Sequence, residues 1–463
     1  MGNDKSNKEL KGLAAKTYNN SDFALEVILG ESSSGIFQKY AKDEILRIQL
    51  DHDILSYYDK GSILLKDFSN FYTILANSDG NWSISLTIVQ IESYELVPEA
   101  MLRKEYNITS VNIEEITPTY ATVRINFADA IEQIFNRNAI FSSQNDADAS
   151  SVLKGLLKSI GFRDDAEGIV ELPKIDASGI QINYITDNNN NALRHIDFIT
   201  SQIYNETKGF LFIYFHPNEN KLKAFWSKDV LNANIPIDDN FEKYKNAAYY
   251  LKIASADDAD RADYNIAEIK AYNNIIPYNN AARIIYPTYI QNFNVKTSRM
   301  EVPDSGVWKN EKFKELFSQN VLMNTSLPKS LEEPSSVFTT LSGFYNTVPD
   351  AAVGKFYRQS NIDEFRQRLR SYFIYKNMMS FKVLGKIWRE PGHVFEIMYS
   401  QGPNVDKLAG KWLCTKIVDD FESQEYYQYI FLTRISDTVD YDAIVDYTNA
   451  MKIEADKRKA TGG

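Results

Sequence analysis

Four histidines, His52, His195, His216 and His393, and one cysteine, Cys414, are the residues of this 463-residue chain best suited to nucleophilic chemistry or soft metal ligation. They fall in separate segments, and none has a second His or Cys at ligand spacing, so no metal site is expected. His195 and Asp197 form a possible acid–base pair, but residues two apart on a helix do not face each other, and both read as surface or interface residues. His393 and Cys414 imitate a thiol–imidazole dyad on nearby strands. The predicted strands around them offer no cleft or oxyanion donors, so Cys414 is expected to be a buried structural residue. The carboxylate pairs Glu114–Glu115, Asp257–Asp258 and Asp419–Asp420 do not converge, because adjacent strand residues point to opposite faces, and solvated turns account for them. The chain has no glycine-rich phosphate loop and no G-x-S-x-G. No catalytic, cofactor-binding or metal-ligating residue is predicted, and no cofactor.

The elements that would position such residues are mostly strands. Aromatic residues make up 13% of the chain, with 29 Tyr and 26 Phe, which favours strands and extensive packed surfaces. The stretch from Met379 to Arg434 reads as four turn-bounded strands arranged as a meander: Ser380–Gly385, Pro391–Ile397, Gly410–Val418 and Tyr426–Arg434. Alternation assigns Phe381 with Val383, Phe395 with Ile397, and Tyr427 with Tyr429 and Phe431 to shared faces. Trp412 and Phe431 are expected in the core or between barrels. Near the N-terminus, strands are predicted at Phe23–Leu29, Glu44–Leu50, Gly61–Phe71, Glu105–Glu114 and Ala121–Phe127. Trp82, Ile84, Leu86 and Ile88 alternate with polar or smaller residues after an Asp79-Gly80 turn.

Between these regions the apolar period lengthens from 2 to 3.6. Ala149, Val152, Leu153, Leu156, Leu157 and Ile160 form one helical stripe, with Asp146 or Asp148 as N-cap and Gly161 at the C-terminal end. A second helix carries Leu193, Ile196, Ile199 and Ile203 after an Asn188–Asn191 loop, and feeds a hairpin of Phe210–Phe215, a 217–220 turn and Leu222–Trp226. Tyr264–Tyr272 reads as another strand. Residues 273–352 read as irregular, with six prolines and one helix near Lys309–Asn320, and the C-terminal part as a helix over Tyr441–Arg458.

A net charge of −11 without a basic block argues against stable nucleic-acid binding. One cysteine excludes an intrachain disulfide. No stretch reaches about 18 apolar residues, so no membrane-spanning segment or signal peptide is expected.

The order of a helix at Ile362–Lys376 followed by "FKVLG", "PGHVFEI", "GKWLCTKIVDDF" and "YYQYIFLTR" strands resembles the last barrel of baseplate hub proteins of contractile-tailed, T-even-type bacteriophages. More distantly, it resembles the base of type VI secretion spike proteins. The helix and hairpin "LRHIDFITSQIYNETKGFLFIYFHPNENKLKAFW" is similar to the α+β domain that follows the first barrel in both groups. The resemblance implies a mainly β fold with α+β: two small antiparallel β-barrels, an α+β domain and an inserted irregular subdomain. The corresponding division is a flexible arm at 1–20, a first barrel at 21–127, an α+β domain at 128–262, a second barrel at 263–273 with 353–437, an insertion at 274–352, and a C-terminal helix and tail at 438–463.

The function implied is non-enzymatic: a homotrimeric ring joining the hexameric tail tube to the trimeric central spike, and passing DNA once the spike leaves. The implied partners are the central spike protein, tail tube or tube-initiator proteins, baseplate wedge proteins and the tape measure protein. The implied location is the virion tail baseplate, assembled in the host cytoplasm. The alternatives are the hub of a bacterial contractile injection system and a tail-associated cell-wall hydrolase or glycan binder with accessory β-domains.

Overall fold

The computed structural model describes residues 23–31, 35–77, 81–92, 95–136, 143–163, 175–177, 181–186, 190–205, 208–216, 221–232, 250–253, 266–273, 288–294, 299–301, 336–342, 377–387, 389–399, 410–422 and 425–434. The 1–20 arm, the Asp79-Gly80 and 217–220 turns, the Asp257–Asp258 pair and the helices expected at 309–320, 362–376 and 441–458 lie outside the described residues.

Seven strands come from the N-terminal region: β1 (Phe23–Glu31), β2 (Ile36–Tyr40), β3 (Ile45–Asp53), β4 (Lys60–Asp67), β5 (Trp82–Glu92), β6 (Glu95–Ile116) and β7 (Ala121–Ala128). The alternation in β5 falls as its sequence requires: Trp82, Ile84, Leu86 and Ile88 are buried in one core with Val27, Leu29, Ile63, Leu65, Val123 and Ile125. β6 continues on both sides of the expected Glu105–Glu114 strand.

An α+β unit follows, with β8 (Ser143–Asp148), β9 (Gln181–Ile185), β10 (Tyr204–Asn205), β11 (Gly209–His216) and β12 (Lys221–Trp226). Its helix Ala149–Ser159 begins where Asp148 Oδ2 accepts from Ser150 N at 3.0 Å, satisfying one of the free N–H groups of the first turn. It ends ahead of Gly161, whose φ of +116° suits glycine. Its apolar stripe packs against helix Ala192–Gln202 and shares one core with residues of the β11–β12 hairpin. The second helix is capped in the same way by Asn191, which accepts from Arg194 N at 3.0 Å.

The remaining strands are β13 (Tyr250–Ile253), β14 (Ile266–Asn273), β15 (Thr288–Asn294), β16 (Arg299–Glu301), β17 (Ser336–Ser342), β18 (Asn377–Leu384), β19 (Val394–Tyr399), β20 (Gly410–Glu422) and β21 (Glu425–Arg434). β15, β16 and β17 form a small sheet in the order β16-β15-β17, so the 273–352 stretch holds strand structure where irregular chain was expected.

Most strands join one sheet in the order β14-β18-β21-β20-β3-β4-β7-β6-β5-β1-β2, with β19 also on β20 and β13 on β19. The first and last strand-rich regions are therefore continuous through β3 and β20. Among the described residues this path is open, ending at β14 and β2.

Two expectations for the last region need correction. β18 pairs with β21, giving the spatial order β19-β20-β21-β18, which is a Greek-key arrangement in place of a meander. The core face of β21 is Tyr426, Gln428, Ile430 and Leu432, whereas Tyr427, Tyr429 and Phe431 stand half-buried on the other face. Lys382 Nζ lies 3.6 Å from the Tyr427 ring centre and Lys416 Nζ 5.9 Å from that of Phe431, so cations cover the aromatic face that resembled a core. Trp412 is fully buried with Phe381, Val383, Phe395, Ile397, Cys414 and Ile430, as expected.

Candidate functional site: a buried polar junction

β20 is long enough to serve two neighbourhoods. Its first residues, Gly410–Leu413, pair with β19, and from Lys416 onward it pairs with β3. A bulge between Cys414 and Lys416 separates the two stretches. Beyond it, Phe421 packs with Tyr426 and Phe23 inside the N-terminal core, with ring centres 4.1 and 5.1 Å away.

The β3–β20 seam carries charged pairs. Arg47 meets Asp420 through two bonds of 2.7 Å each, and Lys416 pairs with Asp51. Deeper in, His52 lies between two carboxylates, with Nδ1 2.8 Å from Asp59 Oδ2 and Nε2 2.9 Å from Asp419 Oδ2. Asp59 Oδ1 accepts from the Tyr214 hydroxyl at 2.6 Å, which brings in β11 of the α+β unit. Asp419 Oδ1 accepts from Tyr426 at 3.0 Å and from Gln428 Nε2 at 2.7 Å. Gln428 is fully buried; its amide also bonds Lys386 O at 2.9 Å and accepts from Arg389 Nη1 at 3.0 Å.

Burial opposes charge on His52, but the Asp59 and Asp419 carboxylates outweigh it and hold the imidazole well above its usual pKa. Burial likewise opposes charge on Asp59, and His52 outweighs it, so the Asp59 carboxyl stays below the usual range. Burial first, and Asp59 second, push the Tyr214 and Tyr106 hydroxyls up, while burial and then Asp419 do so for Tyr426. The Tyr214 and Tyr426 phenols serve as donors to Asp59 and Asp419.

The α+β unit is also held by the β3–β4 connection. Ile54, Tyr57 and Tyr58 are buried in its core. Tyr57 has φ +68°, uncommon for a bulky side chain. Its carbonyl accepts from Phe215 N at 2.9 Å, and its hydroxyl donates to Asp197 at 2.8 Å.

Several sequence expectations change on this geometry. Asp419 and Asp420 are buried partners in the seam, not members of a solvated turn. His52, which showed no partner in sequence, sits at the centre of the network. His195 is buried against Tyr184, whose hydroxyl meets its Nδ1, so it is not a surface residue, and Asp197 turns instead to Tyr57. Glu114 and Glu115 are exposed, with Glu114 bonded to Arg124 at 2.6 Å. Cys414 and His393 do not form a dyad: the Cys414 thiol is fully buried and lies 3.6 Å from Lys416 O, while His393 is half-exposed and lies 3.7 Å from Glu390. Burial pushes the thiol well above its ordinary pKa.

The Asp–His–Asp arrangement resembles the base and orienting group of a nucleophilic triad, but both ring nitrogens are occupied by carboxylates. Neither is left to accept a proton from a nucleophile. What this geometry can do is hold three segments together. Among the described residues no group of three or more His, Cys, Asp or Glu is placed to hold a metal ion, and no helix is long and apolar enough to cross a membrane.

No protein-family profile matches the chain, and no curated protein does. Solved structures do. Its structural neighbours are phage tail proteins and type VI secretion components. A tail protein from Neisseria meningitidis MC58 superposes with a TM-score of 0.47 at 10% identity, over 89% of this chain and 96% of that one. The 43 kDa tail protein of prophage MuSo2 from Shewanella oneidensis gives 0.47 at 9% identity, over 90% and 98%. An E. coli component of the type VI secretion system, described as structurally similar to the T4 bacteriophage tail proteins gp27 and gp5, gives 0.41 at 8% identity, over 86% and 75%.

Proposed function

We propose that the chain is a structural hub of a contractile phage tail baseplate. In this reading three copies form a ring between the hexameric tail tube and the trimeric central spike. Two small barrels per chain, the first and last strand-rich regions, present six similar units to the tube, and the ring passes DNA after the spike leaves. The chain performs no catalysis and works through shape and contact, with spike, tube and wedge proteins as partners in the virion.

The observation that carries this reading is the β3–β20 seam. Residues from opposite ends of the sequence are built into one sheet, joined by charged pairs and a buried polar network. That construction suits a part that must transmit load without changing shape. A closed point-group ring is the usual way for identical chains to form such a part.

The test is the mass and symmetry of the purified particle. A threefold ring of three times the 53.1 kDa chain mass, with a pore wider than a DNA duplex and a lining poor in Lys and Arg, is the expected result. A monomer in the assembled particle, or a pore lined densely with basic side chains, overturns the reading.

A further inference from the structure

His52 stands on β3 where that strand pairs with β20 and, through Asp59 and Tyr214, meets the α+β unit, with a carboxylate oxygen on each side of its ring. A neutral imidazole has one N–H and one lone pair. Between two ionised carboxylates it would aim that lone pair at an oxygen. Nε2 is hydrogen-bonded to Asp419 Oδ2 at 2.9 Å, and Nδ1 lies at ion-pair distance, 2.8 Å, from Asp59 Oδ2, so a second ring proton would match both carboxylates.

We propose that His52 is a proton-held lock: as an imidazolium it ties Asp59 to Asp419, holding β3, β20 and the α+β unit in one body, and loss of its proton lets this junction open. The proposal does not depend on whether the chain forms a ring.

The charged and titratable groups around the lock are accounted for. From β6 come Lys104 and Tyr106; Lys104 is ion-paired with Asp129, the residue after β7, and its charge also helps to hold Asp59 ionised. From β11 comes Tyr214, a donor to Asp59, and from β21 comes Tyr426, a donor to Asp419. Arg389 and Lys386 act one step away, through Gln428. His52 is thus the cation in direct contact with both Asp59 and Asp419.

The direction is the reverse of the common histidine switch, which releases on acidification. A histidine raised in the folded state contributes fully below its unfolded value of about 6.5, and that contribution is lost as pH rises through the folded value. Asp59, lowered in the folded state, sets the acid limit: its contribution is present above an unfolded value of about 3.9 and is lost as pH falls through the folded one. The lock is therefore tightest in mildly acidic solution.

The test uses the full chain with 15N-labelled histidine, the His52 signals being assigned by single substitution of the other three histidines, together with amide exchange followed against pH. Two N–H-type ring nitrogens are expected for His52 at pH 7. After correction for intrinsic exchange, protection of the β3 and β20 amides should fall about tenfold per pH unit above about 6.5, with β11 following in step. His52→Gln should abolish that slope. If this variant does not fold, the wild-type ring spectrum and exchange profile still decide. A neutral His52 tautomer at pH 7, pH-independent protection, or loss at β3 and β20 without β11 would each overturn the proposal.

Discussion

Arg47 and Asp420, 373 positions apart in the chain, meet in a two-pronged ion pair across β3 and β20, with Nε–Oδ1 and Nη2–Oδ2 both at 2.7 Å. The bond to Asp420 raises the already high pKa of the guanidinium against the opposing effect of burial. This pair fixes the register of the seam near its outer end, as His52 does deeper in. A planar fork can do this where a single ammonium cannot.

Arg47→Lys should therefore lower stability. Arg47 is about one-third exposed, so the loss should be about 1 kcal/mol. Urea unfolding should show a lower midpoint at unchanged slope. An unchanged midpoint would mean the fork does not hold the seam.

Trp412 and Phe431 should respond differently, although both looked like packing residues in sequence. Trp412→Ala empties a fully buried site and should cost about 3 to 5 kcal/mol. Phe431→Ala removes a half-buried ring from the outer face and should cost only about 1 kcal/mol. Equal losses in thermal unfolding would reverse the face assignment for β21.

Gly392→Ala should be destabilising for two reasons. Its φ is +83°, and an added Cβ would lie 2.8 Å from Phe225 Cε1, where the turn before β19 crosses β12. The conformational strain is of order 1–3 kcal/mol. A Tm equal to that of the unsubstituted protein would show that the turn and Phe225 both relax freely.

Cys414 should stay unmodified by thiol reagents in the folded protein at pH 8. Burial suppresses both access and the thiolate. Labelling at the rate of a denatured control would show that β20 is not buried as described.

Asp148→Ala should cost about 1 kcal/mol through loss of the helix cap, measured by equilibrium unfolding. Asp148→Asn should retain most of the stability, since an amide oxygen accepts the same bond.

The sequence by itself determined the elements whose causes are local. The stripe from Ala149 to Ile160, the Gly161 stop and the alternation in β5 depend on residues a few positions apart, and they stand as read; of the two caps the sequence offered, Asp146 and Asp148, the structure uses Asp148. The Phe210–Phe215 and Leu222–Trp226 hairpin is legible for the same reason.

Only the tertiary structure decided which strands are neighbours, which face of β21 is inside, and where the charges go. A period of two marks two faces without saying which is buried, and in β21 the apolar-looking row of Tyr427, Tyr429 and Phe431 is the outer one, while Gln428 is inside because Asp419 and Lys386 bond it. His52 gave no sign of its role, since Asp419 lies 367 positions away and becomes its partner only when β20 pairs with β3. Such a pairing depends on chain ends brought together by the whole fold, so local pattern carries no trace of it.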